Sequence, residues 1–219
     1  MSLDGVMQAP GGPHEDPTGG FVHGGWVAPL WDDALSAAVG ETFSKPYDLL
    51  LGRRTYDIFA AYWRYIERNP AHPTFDAGNA RIAEQFDRVT KYVATHHPEG
   101  LTWQNTKALG ADVVSALRAL KQEQGPMLLV QGSSELLQLL LASELVDELR
   151  LLVFPVLLGK GKRVFGSSVA AGTWKLTSST TSPNGVLITS YEPAGAIRTG
   201  SFETQPPSAA ELLRRRKWA

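Results

Sequence analysis

Apolar positions along this chain alternate between short continuous runs and helical stripes. Leu35, Val39 and Phe43 recur every four residues, which predicts a helix from Trp31 to Phe43 with one inward face. Lys45-Pro46 stops it, and Tyr47–Leu51 is an apolar run of strand length. A helix follows from Arg54 or Thr55 through Tyr56, Phe59 and Tyr62. Asn69–Pro73 is loop, and Phe75–Phe86 is a helix with Ile82 and Phe86 inward. Val89–Thr95 reads as a strand and Leu101–Trp103 as a short one. Asp112 suits the N-cap of a helix through Val113, Leu117 and Leu120, which Gly125-Pro126 ends. Met127–Val130 reads as a buried strand, and Ser133 or Ser134 caps a helix with Leu136, Leu137, Leu140 and Leu141 inward. Leu149–Phe154 is a further strand. Trp174–Thr180 and Gly185–Tyr191 pair around the turn Pro183-Asn184-Gly185.

This order predicts an α/β fold with a largely parallel sheet, to which the last hairpin adds antiparallel strands at one side. Residues 8–30 are rich in Gly and Pro but carry Phe21 and Trp26, with Trp31 just beyond. Large apolar groups mark an ordered loop, of the kind that forms lids and binding loops. Residues 194–219 differ in character, and Ala210–Trp218 predicts a short basic helix with Arg214–Lys217.

The 219 residues are 43% hydrophobic and 20% charged, enough for one domain with a tail. A net charge of −1 gives no global reason for binding nucleic acid or an anionic membrane. The absence of cysteine excludes disulfides, iron–sulfur clusters, thiolate zinc sites and cysteine nucleophiles, and fits a reducing cytoplasm. No apolar run approaches the roughly 20 residues of a membrane span. Met1–Gly5 lacks the basic start and apolar stretch of a signal peptide.

Two strand-to-helix junctions carry the candidate chemistry. Gly52-Arg53-Arg54-Thr55 follows one apolar run, and Gly132-Ser133-Ser134 follows another. Each offers helix N–H groups, a glycine that permits close approach, and arginine or hydroxyl donors for oxyanions. Two such turns point to a nucleotide with several phosphates. Thr95-His96-His97 ends a further strand and could touch such a ligand. No third residue stands at a metal-binding spacing, so no metal site is expected. Asp4, Glu15, Asp16, Asp32 and Asp33 are the acids near the long loop, and one could handle a proton. Neither a Rossmann Gly-x-Gly-x-x-Gly nor a Walker motif is present.

Taken in order, these pieces resemble the dihydrofolate reductase-like superfamily. They are most similar to the reductase domain of the bifunctional riboflavin-biosynthesis deaminase–reductase and its stand-alone relatives. The resemblance rests on Ser2-Leu3-Asp4-Gly5-Val6, Lys45-Pro46, Gly52–Tyr56, Ala94-Thr95-His96, Val130–Leu136, Leu145–Leu149, Phe154–Gly161 and Phe165, and spans about residues 2–192. It implies a three-layer fold over residues 1–193, with a mixed, mostly parallel sheet, and a tail over 194–219. It implies NADPH as hydride donor. Gly52, Arg53, Arg54 and Thr55 would meet the 2′-phosphate and pyrophosphate. Thr95 and His96 would lie at the adenosine end, and Gly132, Ser133 and Ser134 at the pyrophosphate. The loop beginning Asp4-Gly5-Val6 would cover the nicotinamide. The arginine pair also favours the 2′-phosphate, because guanidinium groups give charge-assisted bonds to a dianion.

The resemblance further implies a small heterocyclic substrate, a phosphoribosylaminopyrimidine in the best-known case. Lys160 or Lys162 would anchor its phosphate, and Asp4 or Asp33 would handle the proton. A homodimer is the expected assembly. The zinc-binding residues of the deaminase half are absent, so that step is not expected. The resemblance places a central strand ahead of Ser2, where this sequence has only Met1. The expectation is a start assigned too late or a truncated chain, a gap in the sheet and weak folding, which an upstream apolar strand would relieve. Alternative readings are dihydrofolate reduction, which needs Asp33 as a buried acid, and NADPH binding without turnover. Nucleic-acid binding through residues 210–219 has the least support.

Overall fold

The computed structural model describes residues 1–167 and 169–218. Its first regular helix, α1 (Asp33–Ser44), is capped by Asp32, whose carboxylate accepts the Leu35 N–H at 3.0 Å. β1 (Tyr47–Gly52) follows, and its side chains alternate between two buried faces. Tyr47, Leu49 and Leu51 join Tyr56, Phe86, Val93 and Trp103 on one face. Leu50 joins Leu117, Leu136 and Leu140 on the other. A strand covered on both faces must be apolar throughout, which is why this run shows no polar alternation. Helices α2 (Arg53–Tyr62) and α3 (Ala77–Arg88) supply the first cover, and α4 (Val113–Leu120) and α5 (Ser134–Ala142) the second.

β2 (Lys91–Ala94), β3 (Thr106–Ala108) and β4 (Met127–Leu129) complete a parallel sheet of order β3-β2-β1-β4. β5 (Leu149–Val153), β6 (Trp174–Thr181) and β7 (Leu187–Pro193) form a separate antiparallel sheet of order β5-β7-β6. Leu35 of α1, Val27 of the long loop and Phe154, Val186 and Ile188 form the core beside this second sheet. The α/β class and the antiparallel hairpin follow the sequence. The sheet itself is divided into two.

The division falls between β4 and β5. Each is the end strand of its sheet, and both line one cleft of about 1530 Å³. A small-molecule pocket is commonly about 300–1,000 Å³. The chain start runs beside β5. The Met1 amino group donates to Leu152 O at 2.5 Å, Phe154 N donates to Met1 O at 2.8 Å, and Ser2 bridges Phe154 in parallel. The gap expected in the sheet lies here. It also explains why Met127 is exposed and Leu128 and Leu129 half-buried, where the sequence predicts a buried strand.

Leu101–Trp103 is not a strand. Trp103 is buried, but its backbone N–H donates to Tyr56 Oη at 2.8 Å and its indole N–H to Asp87 at 2.8 Å. Side chains have taken the donors that a sheet ladder would need. Asn105, at φ 56°, then turns the chain into β3. The tail carries α6 (Ala209–Trp218), none of whose residues is buried. Among the described residues, no helix is long and apolar enough to cross a membrane.

Candidate active site

In the parallel sheet the chain moves outward from β1 to β2 and β3, then returns to place β4 on the other side of β1. The connections therefore diverge at the carboxyl ends of β1 and β4. Open α/β sheets bind ligands at such a switch point. Both predicted anion turns lie there, and Gly52–Thr55 and Gly132–Ser134 line the cleft.

The turns touch. A Cβ on Gly52 would collide with Ser133 Oγ, so glycine is the residue that lets the second turn close on the first. Gly132 and Ser133 have φ of 81° and 72°, a left-handed pair that brings the chain sharply into α5. Ser133 makes no side-chain cap to α5, contrary to the usual role of serine there. Its hydroxyl sits between the turns instead. The N-termini of α2 and α5 carry partial positive charge and unsatisfied N–H groups. Together they could hold oxyanions.

The two arginines differ. Arg53 bonds Asp57 at 2.9 Å and also donates to His97 O, so it leans toward the end of β2. Thr95 is buried there and accepts from His97 N at 3.0 Å, while His96 is exposed and lines the cleft. Arg54 turns the other way, 3.4 Å from Thr18 Oγ1 and 4.0 Å from Asp16.

The long loop contributes part of the cleft wall. Met7 Cε would meet a Cβ on Gly132 at 3.7 Å. Gln8 is the buried hub behind it. Its amide nitrogen donates to Asp16 O and Thr18 O, each at 2.9 Å, and its amide oxygen accepts from Lys162 N at 3.0 Å. Trp26 Nε1 donates to Gln8 O at 2.9 Å. Asp16 is buried and pairs with Lys162 Nζ at 2.5 Å. Burial raises its pKa, but the bonds from Lys162 and Thr18 outweigh that and hold it below the usual carboxylate value.

The other expected site residues lie elsewhere. Asp4, Gly5 and Val6 do not line the cleft, whose wall begins at Met7 after Met1. Asp4 instead fastens the chain start to the glycine loop Gly159-Lys160-Gly161-Lys162. It accepts from Ser2 Oγ at 2.6 Å, Leu158 N at 3.1 Å and Gly159 N at 2.8 Å. The Ser2 bond leads in lowering its pKa to about 2, so it stays ionised and is a poor proton donor. Val6 is buried with Ala9 and Phe21, and Gly5 O accepts from Val164 N. Asp33 is exposed on the first turn of α1 and is not in the cleft wall. Lys160 lines a smaller cavity of about 310 Å³ with Gln8, Thr18 and Phe21, and Lys162 is committed to Asp16. Met7 and Gln8, which the sequence reading did not single out, line the cleft wall, as do Glu15 and Asp16 from the acids named near the long loop. The signal for Met7 and Gln8 was their place at the start of a Gly/Pro-rich loop that kept its aromatic residues. Among the described residues, no group of three or more His, Asp or Glu side chains could hold a metal ion.

A family model described as the RibD C-terminal domain matches residues 1–188. The chain belongs to the RibD C-terminal domain family. Solved structures agree in fold. A putative riboflavin biosynthesis protein from Shewanella sp. PV-4 aligns with a TM-score of 0.55 at 19% identity, over 89% of this chain and 95% of that one. A pyrimidine reductase-like protein from Corynebacterium diphtheriae gives 0.51 at 13%, over 91% and 90%. Dihydrofolate reductase from Enterococcus faecalis, complexed with NADP(H) and RAB-propyl, gives 0.52 at 12%, over 88% and 92%. No curated protein matches the chain. In this RibD C-terminal domain the doubled turn at the switch point could hold phosphate groups, because close backbone approach and two helix N-termini converge there.

Proposed function

We propose that this chain is an NADPH-dependent reductase of a small heterocyclic substrate, of the 5-amino-6-(5-phosphoribosylamino)uracil type. One observation carries the reading: Gly52 admits Ser133, so two anion-binding turns share one mouth. The pyrophosphate would lie across Gly132–Ser134 and the start of α2. Arg53, beside His97 at the end of β2, would take the 2′-phosphate. Thr95 and His96 would flank the adenosine. When bound, NADPH supplies the hydride. The chain's own residues orient it, and the long loop walls off water. Family membership supports a cytoplasmic reductase, and a homodimer is the proposed assembly. Lys162 is paired with Asp16, which leaves Lys160 as the candidate anchor for a substrate phosphate. Dihydrofolate reduction loses support, since Asp33 is exposed rather than buried against a ligand.

The test is a titration with NADPH and NADH, followed by tryptophan quenching. NADPH should bind more tightly than NADH. Arg53→Ala should remove that preference by weakening NADPH alone, and Arg54→Ala should weaken both cofactors. A folded chain that binds neither cofactor overturns the reading.

A further inference from the structure

We propose that Glu15, on the loop in the cleft wall, is the proton donor of the reduction, and that the Asp16–Lys162 pair beside it positions the loop. This rests on the reductase reading given above.

A reduction of this kind delivers hydride to the carbon of a C=N or C=O bond. The π bond breaks toward the heteroatom, which then takes one proton. NADPH is oxidised and the substrate reduced, and solvent re-protonates the donor. The donor must line the cleft, sit near the cofactor turns, and carry a proton near neutral pH. Asp4 and Asp33 are outside the cleft wall, and Asp16 is held ionised by Lys162. Glu15 lines the cleft wall, and burial pushes its carboxyl upward from the ordinary 4.5, in the direction a donor needs. It lines the cleft on the loop whose Met7 covers Gly132 and whose Thr18 reaches Arg54. It is half-buried. Its Oε2 accepts from Gly11 N at 2.6 Å and Gly12 N at 3.2 Å, which fixes the carboxyl. Among the described residues its Oε1 has no hydrogen-bond partner.

The neighbouring charges agree. Asp16 on the same loop repels a Glu15 carboxylate. Lys162 from the glycine loop and Arg54 from α2 could counter this, but Lys162 pairs with Asp16 and Arg54 leans toward it. Burial then raises the Glu15 pKa, more than the Gly11 and Gly12 N–H bonds lower it. Adjacent carboxyls with pKa values pushed apart divide into an acid and a fixed charge. Asp16 acts through the loop, tied to Lys162, Thr18 and the Gln8 hub.

The first readout is independent of turnover. Carbon-detected NMR of glutamate-labelled protein, with Glu15→Gln to assign the peak, should show Glu15 titrating above the ordinary 4.5 with and without NADPH. A midpoint at or below 4.5 overturns the proposal. The second is kinetic, with 5-amino-6-(5-phosphoribosylamino)uracil and dihydrofolate as acceptors. Glu15→Gln, which keeps an oxygen for Gly11 and Gly12, should lower kcat at least about 100-fold and flatten its pH profile. NADPH affinity should change less than about two-fold. Undiminished turnover, or an equal loss of NADPH binding, overturns the assignment. Failure of the wild type to bind NADPH would instead sink the reductase reading.

Discussion

An extended apolar segment fused directly ahead of Met1 should raise the melting temperature by about 12 °C or more. Met1 and Ser2 already lie beside β5 in parallel register with Phe154, so an upstream segment would enter the slot between β4 and β5. A segment of Val and Ile matching the five residues of β5 would bury both faces. At about 1.5 kcal/mol per side chain, burial gives about 7 kcal/mol, which the cost of ordering the same residues roughly cancels. The net gain is then the new hydrogen bonds, about six at about 1 kcal/mol each. For a domain of this size, 1 kcal/mol moves the midpoint by about 2–4 °C. The assay is thermal unfolding by circular dichroism. A matched segment with proline at alternate positions lacks the N–H donors and should give little or no rise. Equal melting temperatures for the unmodified chain and the Val/Ile fusion would show that no strand enters the slot, as would an equal rise with the proline segment. A rise that depends on protein concentration, showing the segment paired with a second copy, would refute the register with Met1.

Further outcomes follow from single side chains. Gly52→Ala should cost about 1–3 kcal/mol by overpacking against Ser133, and should weaken NADPH binding because the second turn must move. Gly40→Ala, in open space on α1, should be neutral or stabilising by up to about 1 kcal/mol in denaturant unfolding. Lys91 has no exposed surface, and burial lowers its pKa from 10.5 to about 8. Between those values the unfolded chain binds the proton more firmly, so stability should rise from about pH 8 to pH 10. Above pH 10 Tyr47, raised from 10.0 to about 12 by burial, works the other way. Lys91→Met should abolish the rise in pH-dependent urea unfolding, and an unchanged rise would exclude Lys91 as its source. Asp16→Asn should speed proteolytic cleavage within residues 10–25, because the charge that ties this loop to Lys162 is gone. Cleavage at the wild-type rate would show that the pair does not hold the loop.

Much of this was local and therefore legible. Tyr47–Leu51, the Asp112 cap, the Asn184-Gly185 turn and both glycine junctions follow from neighbours within a few residues, where periodicity and capping act. Other features needed the tertiary structure. Trp103 reads as strand, yet Tyr56 and Asp87 capture its donors from 47 and 16 positions away. Asp4 and Asp33 carry the same carboxyl, but only folding decides that one becomes a fastener and the other meets solvent. Lys162 could not be seen to meet Asp16 across 146 positions of sequence. The contact between Gly52 and Ser133 depends on β1 and β4 lying side by side. Local sequence thus set the elements and the types of group at their ends. Which of those groups share a cleft was decided by strand order, because parallel pairing joins segments that are distant in the chain.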